Sequence, residues 1–293
     1  MTLSPKKILE REPIEASAPC RFDMGGTLDI ATFYYPLQHL EPCTVNAALS
    51  MRTRVRLSPF QQGKVKISSK GFRSAVYKSD RTPFRHPLGL MFAIGAYFQA
   101  DGIHIDISSE SPPRSALGGS SVAAVALAAA LSELQNRCHG YPVLSRKRIA
   151  ILAQAIEESV AGVPCGFQDQ LAAVYGGVNV WHWQTNVASS PYKRRVLVPR
   201  RRLKEFENHL LVAYCGIPHE SKDINGRWVQ QFLAGKHRAY WTEIVDLTSR
   251  FAAAVSTGNY KTAVDLVNRE TAIRRRLTPD VLDPMGVKLS LIH

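Results

Sequence analysis

The most chemically pointed segment of the chain is a run of small residues set between a strand pattern and a helix pattern. Residues 110–130 read ESPPRSALGGSSVAAVALAAA, preceded by the strictly alternating IHIDI of 103–107. Gly118 and Gly119 let backbone N–H groups approach an anion closely, and the helix start behind them adds unpaired donors and the positive end of a dipole. The hydroxyls of Ser120 and Ser121 have three uses open to them: capping the helix, binding phosphate oxygens, or ligating a magnesium ion. A plain glycine turn with serine caps explains the same residues and remains the alternative. The lysine of a G-x-x-x-x-G-K-[ST] loop is absent, and the spacing is not G-x-G-x-x-G.

Three further segments carry groups suited to chemistry. Residues 157–170 read EESVAGVPCGFQDQ. There Asp169 follows a glycine turn, where a helix cap is the commoner use of such a residue. Residues 18–29 read APCRFDMGGTLD, with Arg21, Asp23 and Asp29 around Gly25 and Gly26. Read alone, this pattern is a β-turn with a structural salt bridge. Residues 214–221 read YCGIPHES, where His219, Glu220 and Ser221 line a pocket or cap the helix that follows.

The elements that must position these groups follow from hydrophobic period. Alternation predicts strands over 44–57, 103–107 and 178–183, and an apolar run predicts a buried strand over 210–214. Helical spacing predicts helices over 86–99, 122–134 and 147–159, and a short one, QLAAVY, that stops at Gly176–Gly177. Residues 1–17 read as a loose polar lead-in. From Ser221 the pattern is almost wholly helical, over 228–233, 240–255 and 260–277. Strands mixed with helices first, and helices later, predict an α+β domain followed by a mainly helical one, with the boundary near the basic stretch 192–202.

Composition sets bounds on function. The chain has 293 residues, 45% hydrophobic and 21% charged, as in an ordinary globular protein. The longest purely apolar run, 122–131, is too short and too alanine-rich for a membrane span. With no signal-peptide pattern in 1–20, the expected location is the cytoplasm. Five cysteines lie far apart without C-x-x-C spacing, which argues against a disulfide framework and a structural zinc site. The net charge of +13 comes partly from clusters at 193–195, 200–202 and 274–276. These clusters lack interleaved aromatics or a DNA-binding spacing, so they read as solvated faces that help attract an anionic substrate. The expected partner is a small molecule, neither a nucleic acid nor a membrane.

Taken together, the segments resemble the galactokinase–homoserine kinase–mevalonate kinase–phosphomevalonate kinase superfamily, nearest its galactokinase, fucose kinase and heptose-phosphate kinase branch. Pro113 to Ser121 resembles the proline-led G-L-G-S-S loop of these kinases, with Arg114 or Ser115 where its first glycine usually stands. In the second segment Gly162, Val163, Cys165, Gly166, Asp169 and Gln170 match galactokinase V-G-V-N-C-G-I-M-D-Q in register. Residues 18–29 are similar to the R-I-D-L-A-G-G-W-S-D form of fucose kinases, with one residue fewer before the glycines. Residues 214–221 look like the tyrosine–threonine–glycine segment of the heptose and fucose kinases.

The resemblance implies a two-domain α+β small-molecule kinase fold. An N-terminal α/β domain with the ATP loop would span 1–195, and a helix-rich C-terminal domain 196–293. It implies that Asp169 and Arg21 address the accepting hydroxyl, and that Leu117, Gly118, Gly119, Ser120 and Ser121 hold ATP. Ser120, Ser121 and Glu157 are then the magnesium ligands, and Asp23, Gly26, Asp29, His219 and Glu220 face a sugar or sugar phosphate. The superfamily's third motif, a glycine-rich G-A-G-x-G-G turn, does not occur before His293. The C-terminal domain is therefore expected to be incomplete, with the native product continuing or the chain a poor catalyst. Two rival functions remain: a kinase of a non-sugar alcohol, and a ligand-binding sensor that keeps the fold without turnover.

Overall fold

A computed structural model describes residues 4–113, 115–186, 190–214 and 221–279. The chain forms two compact units, each built from two stretches of sequence. The first unit comprises residues 1–21 and 49–176, the second 22–48 and 177–293. Two long strands, β1 (Ile14–Gly25) and β2 (Cys43–Pro59), run through both divisions.

In the first unit, β2 from Leu49 onward joins β3 (Lys64–Ser69), β4 (Ala75–Lys78) and β5 (Ile103–Ser109) in the order β4-β3-β5-β2, and β1 pairs with β2. The β3–β5 pair is parallel; β3–β4 and β2–β5 are antiparallel. Alternation decides the faces. Val55, Leu57, Val65, Ile67, Ile103, Ile105 and Ile107 are buried, while Arg54, Arg56 and Asp106 between them stay exposed. The buried side packs against α3 (Gly89–Tyr97), α4 (Gly119–His139) and α5 (Arg146–Ala161) through Met91, Phe92, Val122, Leu127, Leu131 and Ile149. α4 is alanine-rich because it is enclosed on most sides, and α6 (Gln168–Tyr175) packs beside it. The expected loose lead-in is instead structured. α1 (Pro5–Arg11) is capped by Ser4, and Ile8, Leu9 and Ile14 join the core. Polar composition hid three apolar anchors there.

In the second unit the early part of β2 pairs antiparallel with β6 (Val178–Trp183), and β6 with β7 (Tyr192–Val198). α2 (Ala31–Tyr34), α7 (Leu203–Glu207), α8 (Ser221–Leu233), α9 (Arg238–Thr257) and α10 (Tyr260–Leu277) complete it. Its core is aromatic: Phe33 stacks on Trp241 with ring centroids 4.3 Å apart, and Phe232 meets Phe33 edge-on at 5.3 Å. Trp181 and Trp183 are fully buried, and their indole N–H groups donate to Asn46 Oδ1 at 2.9 Å and Thr44 Oγ1 at 3.0 Å. The strand expected over 210–214 does not form. Leu211 is 93% exposed, and no strand among the described residues pairs with this run. An apolar sequence records a tendency to bury, but a strand also needs a neighbour to hydrogen-bond. No helix among the described residues is long and apolar enough to cross a membrane.

Candidate active site

In the first unit Arg21, Asp169 and the start of α4 come together. The Arg21 backbone N–H donates to Leu117 O at 3.2 Å, tying β1 to the loop before α4. Its guanidinium Nε and Nη2 both reach Asp169 Oδ1 at 2.6 Å, and Nη1 donates to Ala116 O at 2.7 Å. Arg21 is 8% exposed, while the Asp169 side chain keeps 22% of its surface open. Asp169 sits inside the first turn of α6, whose cap position is Phe167, so it is not the helix cap. Its second oxygen, Oδ2, lies 3.5 Å from Ser121 Oγ, a loose contact that leaves Oδ2 largely unspent.

Residues 115–118 bend to make this possible. Gly118 has φ +75°, and a Cβ there would touch Arg21 and Asp169 at 3.5 Å. Ala116 also adopts a left-handed φ of 60°. That conformation costs an alanine about 1 kcal/mol, and the bond from Arg21 to its carbonyl helps hold it. Leu117 is half-buried; Gly119 and Ser120 are exposed at the helix start. α4 has no side-chain cap. The serines are therefore not caps, and the first-turn N–H groups have no intrahelical partner.

Ser120 Oγ instead donates to Glu157 Oε1 at 3.2 Å, and Gln170 Nε2 donates to Glu157 Oε2 at 2.7 Å. Burial pushes Glu157 up from 4.5 to about 7; the Asp169 charge adds to this, and hydrogen bonds from Ser121, Ser120 and Gln170 oppose it. Protein surrounds the carboxyl closely although the residue retains some solvent exposure. No cation among the described residues compensates it in an ion pair. The adjacent Glu158 does different work. Its Oε1 accepts from the Cys165 N–H at 3.4 Å and its Oε2 from Gln154 Nε2 at 3.0 Å, and Gln154 also reaches Cys165 O at 2.9 Å. This triad fixes the turn that delivers Asp169.

In the second unit Asp23 lies at the end of β1 and Asp29 is 3% exposed after the glycine turn. Gly26 has φ +92°, and a Cβ would stand 2.3 Å from Cys43 O, so only glycine fits. Its N–H donates to Glu270 Oε1 at 3.1 Å and is spent on structure. His219 and Glu220 lie outside the described residues. Glu270 was not legible as a site residue. It lies on the apolar stripe of α10 with Leu266, Ile273 and Arg274, and Arg274 donates back to it at 3.0 Å between Trp228 and Trp241. A Glu–Arg pair at i, i+4 within an apolar stripe was the available signal.

The fold and part of the sequence are similar to those of known proteins. Residues 87–177 match the family model described as GHMP kinases N terminal domain. Over 121 residues the chain is 35% identical to the D-glycero-alpha-D-manno-heptose 7-phosphate kinase of Campylobacter jejuni, covering 40% of this chain and 32% of that protein. The match thus spans about a third of the length of this curated relative. Among solved structures, a D-glycero-D-manno-heptose 1-phosphate kinase from Bacteroides thetaiotaomicron superposes with a TM-score of 0.69 at 17% identity, covering 92% of this chain and 81% of that one. Lactococcus lactis galactokinase gives a TM-score of 0.60 at 16% identity, covering 95% and 81%. Streptococcus pneumoniae phosphomevalonate kinase gives 0.69 at 14%, covering 92% and 82%. The chain has the fold of the GHMP kinases, and its residues 87–177 match the model of their N-terminal domain.

Proposed function

We propose that the protein is a cytoplasmic, magnesium-dependent kinase that transfers the γ-phosphoryl group of ATP to a hydroxyl of a sugar or sugar phosphate. The observation that carries this reading is the Arg21–Asp169 pair placed beside the uncapped start of α4. The similarity to a heptose 7-phosphate kinase supports a sugar-phosphate acceptor. The acidic side chains of Asp23 and Asp29 suit a polyol better than a simple alcohol.

The residues fit the nucleotide and its metal. Among the described residues no three His, Cys, Asp or Glu side chains cluster to hold an ion by themselves. One carboxylate, Glu157, with the hydroxyls of Ser120 and Ser121, instead suits magnesium, which draws its remaining ligands from phosphate oxygens and water. When bound, magnesium supplies positive charge against the phosphate oxygens. The Gly118–Ser121 backbone offers its N–H groups to phosphate. Arg21 orients Asp169 through Oδ1, leaving Oδ2 to take the acceptor hydroxyl's proton as the oxygen attacks phosphorus. A coupled ADP-release screen over galactose, fucose, mannose, arabinose and heptose phosphates tests the reading. ATP binding without ADP release on any of them would favour the sensor instead.

Two results are expected at the loop. Ser120→Ala with Ser121→Ala weakens MgATP binding about tenfold or more by removing two hydroxyl ligands; unchanged affinity by calorimetry would mean that 118–121 is only a turn. The second result concerns pH. A carboxyl raised to about 7 holds a proton that the unfolded chain releases above 4.5. Its contribution to stability is thus full below 4.5 and lost as pH rises through about 7. Metal needs the opposite form. Magnesium-dependent ATP affinity therefore climbs up to about pH 7, by up to roughly tenfold per unit, and levels off above it. A flat profile between pH 5.5 and 7 (an assay window on the order of one to two units) would remove Glu157 from the metal site.

A further inference from the structure

We infer that Gln170 is a positioning residue for the magnesium carboxylate Glu157; the inference rests on the kinase reading above. Gln170 is 1% exposed, and its amide Nε2 donates to Glu157 Oε2 at 2.7 Å. Its own Oε1 is buried with no hydrogen-bond partner among the described residues. A buried amide that uses its donor and wastes its acceptor costs stability, and a methionine or leucine would fill the same space without that cost. The structure therefore retains the amide for the one bond it makes. Gln154, at 6% exposed, differs: its amide is shared between Glu158 and the Cys165 carbonyl and serves the turn.

The placement explains what the bond does. Gln170 directly follows Asp169, so neighbouring residues in one turn of α6 serve two chemistries. Asp169 goes to Arg21 and Ser121, and Gln170 goes to Glu157, which accepts from Ser120 on its other oxygen. A carboxylate can rotate about its last bond, and two donors from opposite sides fix that rotation. Since a carboxylate only accepts, the amide nitrogen must be the end that faces it. When Ser120 and Ser121 both turn to offer their oxygens to the metal, the Gln170 bond is the one that still holds Glu157. Metal-ligating carboxylates are commonly held in this way, and loss of the supporting bond weakens metal affinity about 10–100-fold.

The test is calorimetric titration of ATP into the full chain across a range of magnesium concentrations and without magnesium, with no turnover measured. Gln170→Met keeps the shape without the donor, and Gln170→Leu is the second variant. The inference expects the magnesium needed for tight ATP binding to rise about 10–100-fold in either variant, with magnesium-free ATP affinity unchanged. It further expects Gln170→Met to add nothing to Glu157→Gln, since the amide acts through that carboxylate. An unaltered magnesium requirement in the variants, beside a wild type that needs magnesium, overturns the inference alone. Equal loss of magnesium-free binding, or failure of both variants to fold, makes Gln170 structural and overturns it as well. A wild type whose ATP affinity ignores magnesium overturns the kinase reading with it.

Discussion

Asp169→Asn lowers turnover about a hundredfold or more while ATP affinity stays within about twofold. The amide keeps the shape of the carboxylate, and its oxygen takes the place of Oδ1 opposite Arg21, where two donors converge at 2.6 Å. Its NH2 group then occupies the Oδ2 position beside Ser121. A donor stands where the acceptor hydroxyl needs a proton acceptor, so the variant binds and does not react. The residues assigned to the nucleotide, Gly118–Ser121 and Glu157, are all retained, and Ser121 meets Asp169 only through a loose 3.5 Å contact, so binding and turnover separate. Steady-state kinetics and calorimetry on the same preparation check this, and near-normal turnover would remove Asp169 from the chemistry.

Arg21→Met strikes both stability and turnover. Arg21 is 8% exposed and serves Asp169 and the Ala116 carbonyl at once. The variant leaves a mostly buried carboxylate without its cation and releases a left-handed alanine from its anchor. Breaking such a pair costs on the order of 3 kcal/mol; the 22% exposure of Asp169 keeps the figure at the lower end of the usual range. Turnover falls as well, because a swinging Asp169 loses its aim and small misplacement is steep in rate. Urea unfolding reads the first effect and kcat the second. A midpoint and a kcat both within error of wild type would show that the pair is incidental.

The candidate residues of the first unit lie in local motifs. Gly118–Ser121 and Asp169 are candidates through their resemblance to kinase motifs, since spacing alone leaves a glycine turn and a helix cap open. The resemblance put Arg21 and Asp169 at one hydroxyl, but the ion pair between them, across 148 positions, is visible only in the fold. Gln170 matched a pattern without showing a task, because nothing in a sequence says which donor of a buried amide is used. Glu270 was missed for a related reason: it reaches Gly26 from 244 positions away. The grouping of 22–48 with the chain beyond 176 was likewise hidden, since a composition shift marks only linear boundaries. The apolar run 210–214 misled because propensity was taken for pairing, and the polar lead-in because three apolar anchors in it were outvoted by charges.

The central claim is transfer of a phosphoryl group by this chain, and the measurement closest to it is the mass of the acceptor. The protein is incubated with MgATP and each sugar or sugar phosphate of the screen, beside Asp169→Asn, and acceptor mass and ADP are followed together. The account predicts one acceptor that gains a single phosphoryl group in step with ADP, with magnesium required and the variant nearly silent. ATP that binds while no acceptor gains mass, or an acceptor phosphorylated as fast by Asp169→Asn as by the wild type, would contradict it.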